Sequence, residues 1–142
     1  DRGVVDQVQF TGWVEGDRKQ ELIRRASLFA SPSLHENFGV SVVDALAAGV
    51  PVLVSRQVPL ASDIETARAG WIVGTDRESV KVGLVEAARS DDDRDARGQA
   101  ARALASRFAW PDIAAALLAL YERVQRRDVT AAHPHILTSS HP

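Results

Sequence analysis

Residues 31–54 decide the fold, and they read SPSLHENFGVSVVDALAAGVPVLV. The last five, 50–54, are nearly all apolar, which is typical of a strand buried on both faces of a parallel sheet. Residues 40–48 have the apolar spacing of a helix, and Gly49 is a typical residue to end one. The Ser-Pro-Ser sequence at 31–33 is typical of the loop that closes a strand. The stretch therefore predicts a strand, a loop, a helix and a buried strand in succession.

The same alternation continues on both sides of this stretch. We predict strands at 8–11, 28–30, 50–54 and 71–73, and helices at 17–26, 40–48, 59–67, 75–89, 90–107 and from Pro111 onward. Strands that alternate with helices through short loops indicate an α/β fold, a Rossmann-like parallel sheet with helices on both faces. Ligands of such sheets bind at the carboxyl ends of the strands.

Caps and inward faces of the helices are also predicted. Capping patterns are present at Asp17-x-x-Gln20, Thr75-x-x-Glu78 and Ser90-x-x-Asp93. In the first helix Leu22 and Ile23 are expected to face inward. In the second helix the residues expected to face inward are Val43, Leu46 and Ala47. The apolar stripe of the last helix comprises Ile113, Ala116, Leu117, Leu120, Tyr121 and Val124.

The composition limits the classes of function. The 142 residues are 45% hydrophobic and 25% charged, which is typical of one globular domain. A net charge of −2 disfavours nucleic acid as a partner, and the absence of cysteine excludes disulfides and thiolate sites. No apolar run approaches the ~20 residues of a membrane span, and we expect a cytoplasmic protein. Residues 1–127 are expected to form the domain, and residues 128–142 a disordered tail whose histidines are solvated rather than metal ligands.

The loop that precedes residue 40 carries the chemistry. Gly39 permits close approach of a ligand to the backbone, and the start of the helix offers unpaired N–H groups that suit a phosphate. Glu36 and Asp44 flank this site, and carboxylates there suit sugar hydroxyls better than phosphates. The pattern indicates a nucleotide sugar with its sugar on one side and its ribose on the other. The alternative is that both carboxylates are simply solvated.

At this point the sequence resembles a family. Residues 31–52 are similar to the donor-site signature of retaining glycosyltransferases of GT-B architecture, in the glycogen-synthase-like group called family four. That signature reads P-S-x-x-E-x-F-G followed by E-A-x-A-x-G-x-P-V. The flanks agree at 8–14, 70–73, 108–110 and 120–121, so the resemblance runs from about residue 4 to residue 124.

The resemblance implies roles for individual residues. Glu36 matches the glutamate that contacts the donor sugar and is the candidate catalytic residue. Asp44 stands where a second glutamate contacts the ribose. The other implied substrate-binding residues are His35 and Asn37 in the loop, Phe38, Gly39 and Val40 at the distal phosphate, and Gly12, Trp13 and Val14 beside the nucleobase. No cofactor or metal is implied, and the expected ligand is a nucleoside diphosphate sugar.

Three departures from the family pattern qualify this expectation. Asp44 is one methylene shorter than the usual glutamate. Residues 60–64 replace the family's P-E-I/V stretch, with Asp63 or Glu65 as possible substitutes. The upstream basic motif that neutralises the diphosphate is missing, and so is the acceptor-binding domain. Lys19 and Arg56 are candidates to replace that motif only because they are positively charged. The lack of any Met also suggests a fragment of a longer product, although a processed N-terminus is the alternative.

These departures leave two hypotheses for the function. The first is the donor-binding part of a glycosyltransferase that acts on a sugar or lipid-linked acceptor and is inactive as this chain alone. The second is a non-catalytic paralogue or subunit that pairs with another chain. The motifs fit a nucleotide-sugar epimerase less well. A missing first part also exposes a sheet edge, so we expect a partner chain or a homo-oligomer.

Overall fold

The computed structural model describes the backbone of residues 3–131 and the side chains of residues 3–126. The chain divides into two compact units, residues 1–106 and residues 107–142. The first unit contains α1 (Gly16–Arg24), β1 (Phe29–Ser31), α2 (Val40–Ala48), β2 (Val52–Ser55), α3 (Ala61–Ala67), β3 (Gly70–Val73), α4 (Arg77–Ala88) and α5 (Asp91–Ala105). Short 3₁₀ helices lie at Val5–Gln7 and Ser106–Phe108, and α6 comprises Trp110–Ala131.

The three strands form one parallel sheet in the order β1-β2-β3. Leu53 in the central strand pairs with Ala30 of β1 and with Trp71 of β3. All four residues of β2 are buried, as the apolar run at 50–54 predicts. The predicted α/β class with a parallel sheet is confirmed.

Helices cover both faces of this sheet. On one face Leu53, Trp71 and Val73 form an apolar cluster with Ala87 of α4. Side chains alternate along a strand, so Val52 and Val54 point to the opposite face. There α2 packs against β1 and β2, and α3 packs against β3.

The helix α5 lies at the amino-terminal ends of the strands. Its Arg97 donates from Nη1 to the carbonyl oxygen of Gly70, the first residue of β3, at 2.6 Å. Its Arg102 donates to the carbonyl oxygen of Ala48, at the end of α2, at 3.0 Å. Because α5 lies at that end, it does not cover the opposite, carboxyl ends of the strands.

The predicted strand at 8–11 is wrong. These residues have no regular secondary structure, and Val8 and Phe10 are 54% and 94% exposed. A β-strand requires a neighbour with which to exchange backbone hydrogen bonds, and none of the described residues pairs with this segment. The described sheet therefore has three strands where the sequence predicts four.

Two of the three predicted caps are misplaced by one or two residues. The helix α1 begins at Gly16 after Glu15, so Asp17 lies inside its first turn and does not cap it. The cap of α4 is Asp76, whose Oδ1 accepts from the backbone N–H of Ser79 at 2.9 Å, and not Thr75. The third cap is confirmed, because Ser90 Oγ accepts from the N–H of Asp93 at 3.2 Å.

The inward faces are also partly wrong. Ile23 is buried as predicted, but Leu22 is 42% exposed. In α2 the buried residues are Val42, Ala45 and Leu46, whereas Ala47 is exposed. One position along a helix turns a side chain by about 100°. The packing of α2 between the sheet and α5 therefore selects a neighbouring face of an almost wholly apolar helix.

The second unit consists, in its described part, mainly of α6. The predicted stripe residues Ile113, Leu117 and Tyr121 are 40%, 45% and 58% exposed. The stretch Asp91–Arg126 is long and apolar enough to cross a membrane by length and composition only. It is not one continuous α-helix, because a 3₁₀ turn separates α5 from α6, and composition alone assigns it no membrane role.

The boundary predicted at residue 128 stays a prediction. The helix α6 continues to Ala131, and residues 132–142 with their histidines lie outside the described part.

Candidate functional site

The loop that joins β1 to α2 lies at the carboxyl end of the sheet. Ser55, the last residue of β2, donates from its buried hydroxyl to the carbonyl oxygen of Ser33 at 2.5 Å. The hydroxyls of Ser31 and Ser33 lie 3.3 Å apart. These contacts attach the start of the loop to two neighbouring strands. The rest of the loop is thereby held where ligands of parallel sheets bind.

Gly39 sets the direction in which α2 leaves this loop. It precedes the helix with φ 88° and ψ 49°, a left-handed conformation that favours glycine. No described side chain caps the start of α2, so its first-turn N–H groups are not used by a capping side chain. Val40 is 62% exposed there. The start of this nine-residue helix offers backbone donors and a positive dipole end to an anion.

Glu36 lies against this helix start. Its Cγ is 3.6 Å from the position that a Cβ on Gly39 would occupy. Its Oε1 accepts from the backbone N–H of Asn37 at 3.1 Å, which orients the half-buried carboxylate. The flanking His35 and Asn37 are exposed, and Phe38 is 44% exposed. The structure thus brings the predicted loop residues together with Gly39 and Val40.

Asp44 forms an ion pair that the sequence does not predict. Its Oδ2 lies 2.7 Å from Nζ of Lys19 in α1. The two side chains are 26% and 33% exposed, so water screens their charges less than at an open surface. A carboxylate predicted to meet a ligand is therefore already paired with a cation.

An apolar groove of about 410 Å³ lies next to this ion pair. Its walls come from the 12–14 segment, from α1 and from the starts of β1 and α2, and the lining residues are Gly12, Trp13, Val14, Lys19, Leu22, Ile23, Ala26, Phe29 and Ser41. Trp13 is 87% exposed, and its Nε1 donates to Glu15 at 3.2 Å. The three residues predicted beside a nucleobase thus line one groove, and Lys19 links that groove to Asp44.

Sequence reasoning missed part of this groove. Ser41 carries a usable signal, because it precedes Asp44 by three positions and so shares its helix face. Leu22 is expected to face inward and instead lines the groove. Arg56, the other candidate cation, is not among the lining residues, and its guanidinium lies 3.9 Å from Glu65 with both side chains well exposed.

A larger open cleft lies away from these residues, between α5 and the amino-terminal side of the sheet. Its volume is about 890 Å³, and Arg94 and Arg102 line it. Their guanidinium groups already donate to the carbonyl oxygens of Ala87 and Ala48. It contains none of the residues predicted to bind a ligand, so size alone does not make it the functional site.

A family model described as Glycosyl transferases group 1 matches residues 1–104. This chain belongs to that family. The match covers the loop, the ion pair and the groove, and it confirms the resemblance and the fold predicted from residues 31–54. Individual residue roles stay predictions.

This member of the glycosyltransferase family is similar to curated proteins that have several different names. It is 30% identical over 125 residues to a D-inositol 3-phosphate glycosyltransferase of Jonesia denitrificans, a match that covers 87% of this chain and 30% of the relative. It is also 30% identical over 115 residues to a GDP-mannose:cellobiosyl-diphosphopolyprenol alpha-mannosyltransferase of Xanthomonas oryzae, which covers 80% of this chain and 30% of the relative. The chain thus spans about 30% of the length of these relatives.

A solved structure has a similar fold. Sucrose-phosphate synthase from Thermosynechococcus elongatus superimposes with a TM-score of 0.77 and 23% identity, over 92% of this chain and 32% of that one. At this identity the likeness shows the fold alone. It supports the observed α/β architecture over almost the whole chain.

Proposed function

We propose that this chain is the nucleotide-sugar-binding part of a retaining glycosyltransferase that transfers a glycosyl group to a sugar or lipid-linked acceptor. The observation that carries the proposal is the start of α2. There Gly39, left-handed and followed by an uncapped first turn, lies against the carboxylate of Glu36. One place thus offers anion donors and a hydroxyl acceptor, as a sugar diphosphate requires.

The groove supports the nucleoside end of this proposal. Its volume of about 410 Å³ lies within the range of small-molecule pockets, and apolar walls suit the faces of a nucleobase. Trp13, 87% exposed, provides an aromatic surface for stacking. Asp44 contacts Lys19, which lines the groove, and in this proposal it accepts hydrogen bonds from the ribose hydroxyls. The ligand would extend from the groove to the start of α2.

The chain alone is proposed to bind donor without turnover. Departure of a nucleoside diphosphate develops negative charge that cations must stabilise. The candidate cations Lys19 and Arg56 are already paired with Asp44 and Glu65. Within a longer protein, we expect front-face attack in which the departing phosphate helps to deprotonate the acceptor. A cytoplasmic location stays a prediction.

One observation favours the alternative, a non-catalytic subunit that pairs with another chain. The carboxylate of Asp44 is occupied by Lys19, and ligand must compete for it or share it. Phe10 and Trp13, at 94% and 87% exposed, offer apolar surface to a partner. This alternative predicts no nucleotide binding by the folded chain.

Calorimetric titration of the full chain tests the proposal. The ligands are UDP, GDP and ADP and their glucose or mannose conjugates. We expect saturable binding of one nucleotide, weakened about tenfold or more in Asp44→Ala, since a hydrogen bond to a charged group contributes about 1.5–3 kcal/mol. Asp95→Ala, an exposed carboxylate on α5, is the matched control and should bind as the wild type does.

Two results would contradict the proposal. If the chain is folded by circular dichroism and binds none of the nucleotides, the donor-binding function is wrong and the non-catalytic alternative is favoured. If a nucleotide binds but Asp44→Ala and Asp95→Ala lower its affinity equally, the ligand does not occupy the groove beside α2.

A further inference from the structure

The contact between Lys19 and Asp44 differs from the ordinary ion pairs of this chain. The pairs Arg25–Glu21, Lys81–Glu78 and Arg97–Asp93 join residues three or four apart in sequence. Lys19 belongs to α1 and Asp44 to α2, and their charged atoms lie 2.7 Å apart. Residues within one helix turn meet by helix geometry alone, whereas this pair depends on how two helices pack.

The packing of α1 explains why Lys19 points toward α2. Lys19 and Ile23 are four positions apart and share a helix face. Ile23 is 6% exposed, so this face is turned toward the interior. The Lys19 stem follows it and brings the ammonium to the edge of the groove, which both residues line. The position of the ammonium is therefore set by a buried neighbour.

Asp44 retains binding capacity beyond this contact. The ion pair uses Oδ2, and no described residue is hydrogen bonded to Oδ1. A carboxylate accepts several hydrogen bonds, so the pair with Lys19 does not exhaust it. Ser41, on the same face of α2, lines the groove. One oxygen of Asp44 is thus paired with Lys19, while the other keeps its capacity to accept a hydrogen bond.

We infer that Lys19 is a positioning residue that fixes the Asp44 carboxylate so that its second oxygen accepts a hydrogen bond from a ribose hydroxyl. This inference rests on the function proposed above. A short aspartate reaches less far than a glutamate, so its orientation matters more for such a contact. An ammonium held at 2.7 Å restricts the carboxylate before ligand arrives and lowers the entropic cost of binding.

The competing role for Lys19 is direct neutralisation of the diphosphate. To do this the ammonium must leave Asp44. That would leave a carboxylate only 26% exposed without its cation. Removing one partner from a shielded ion pair costs more than removing one from an exposed pair, since the remaining charge stays poorly solvated. The geometry therefore favours a lysine that acts through Asp44.

The test measures discrimination between ribose and deoxyribose. The full chain, Lys19→Met and Lys19→Arg are titrated with the nucleoside diphosphate that binds the wild type and with its 2′-deoxy and 3′-deoxy forms. We expect the wild type to prefer the ribose form over at least one deoxy form by about tenfold. In Lys19→Met this preference should fall to about twofold or less, and Lys19→Arg should retain most of it.

The matched control is Lys81→Met. Lys81 is the other lysine of the chain, and its ammonium lies 3.1 Å from Glu78 on α4, outside the groove. This variant should discriminate as the wild type does. Thermal melting shows whether each variant is folded, and Lys19→Leu, which also lacks a hydrogen-bond donor, replaces Lys19→Met if that variant is not.

The outcomes separate the inference from the proposed function. If Lys19→Met weakens the ribose and deoxyribose forms equally, Lys19 contacts the diphosphate or only stabilises the fold, and the positioning role is wrong while nucleotide binding stands. If the wild type binds but does not discriminate, no ribose hydroxyl meets Asp44 and the inference is again wrong. If the wild type binds no nucleotide, the proposed function fails and the inference fails with it.

Discussion

The guanidinium carbon of Arg97 lies 4.3 Å from the centroid of the Trp71 ring. Trp71 belongs to β3, is 8% exposed and is part of the apolar cluster that contains Leu53, so this cation–π contact joins Arg97 to that cluster. The same guanidinium donates to the carbonyl oxygen of Gly70 at 2.6 Å and to Asp93 at 3.0 Å. One side chain of α5 thus attaches this helix to the amino-terminal end of the sheet.

Replacing Arg97 should therefore destabilise the fold. A shielded cation–π contact and a hydrogen bond from a charged group together predict a loss of about 2–3 kcal/mol for Arg97→Ala. Arg97→Lys keeps the charge but loses the planar fork, and should cost about half as much. Urea unfolding followed by circular dichroism measures both losses.

The control for this prediction is Arg25→Ala. The guanidinium of Arg25 lies 3.5 Å from Glu21, and its side chain is 78% exposed. Exposed pairs of this kind contribute about 0–1 kcal/mol. Equal losses in Arg97→Ala and Arg25→Ala would show that the contacts of Arg97 with β3 do not stabilise the protein.

Close packing of α4 on the sheet requires a glycine at position 83. A Cβ there would lie 2.5 Å from Cγ1 of Val73 and 3.0 Å from Cδ1 of Leu53. Alanine favours a helix over glycine by about 1 kcal/mol, but overpacking costs about 1–3 kcal/mol and valine moves little because it is branched at Cβ. We expect Gly83→Ala to lower the free energy of unfolding by about 1–2 kcal/mol.

A double-mutant cycle with Val73→Ala identifies the cause. If the overlap with Val73 is responsible, the double variant should be less destabilised than the sum of the two single variants. Additive losses, measured by the same urea unfolding, would instead attribute the effect of Gly83→Ala to another part of α4.

The sequence predicts correctly the elements that are determined by residues adjacent in the chain, and it fails for elements that depend on a distant part of the chain. The bounds of α2 match the prediction because Gly39 and Gly49 enclose the helix with left-handed backbones, a signal present in the residues themselves. The buried strand β2 follows from its unbroken apolar run. By contrast, residues 8–11 have the composition of a strand but no described partner. The composition of a segment does not determine whether another strand lies beside it.

In the candidate site, too, the features set by adjacent residues could be predicted and those set by tertiary packing could not. The anion-binding character of the helix start at Gly39 and the nearby Glu36 follow from residues adjacent in sequence. The Lys19–Asp44 pair could not be predicted, because it depends on the packing of α1 against α2. Sequence suggested Lys19 only as a cation by type. Contacts between residues distant in sequence are set by tertiary packing and leave no local pattern.

The role proposed for Glu36 predicts a selective effect on the sugar. Glu36→Gln removes a charge that accepts hydrogen bonds from sugar hydroxyls but leaves the nucleoside contacts unchanged. We expect the affinity for the nucleotide sugar to fall about tenfold while that for the nucleoside diphosphate changes less than about twofold. Calorimetry with the two ligands measures the difference. Glu86→Gln, an exposed glutamate of α4, is the control, and equal losses for both ligands in Glu36→Gln would contradict the assignment.

The last prediction concerns Gly39 and the direction of the α2 amides. A Cβ at Gly39 would make only ordinary contacts, 3.4–3.6 Å from Val42 and Glu36, so Gly39→Ala has room for its methyl group. Its cost comes from φ 88°, where a residue with Cβ is strained by about 1 kcal/mol or more. Relief of that strain turns the backbone, so we expect nucleoside diphosphate affinity to fall about tenfold or more along with the loss of stability.

The other end of the same helix provides the matched control. Gly49 also has a positive φ, 77°, where a residue with a Cβ is strained, so Gly49→Ala should lower stability. It lies outside the proposed site, so nucleoside diphosphate affinity should be unchanged in this variant. Asparagine tolerates the left-handed region, and Gly39→Asn should recover part of the binding lost in Gly39→Ala. If Gly39→Ala and Gly49→Ala lose stability equally and both retain full affinity, the amides at the start of α2 do not hold the phosphate.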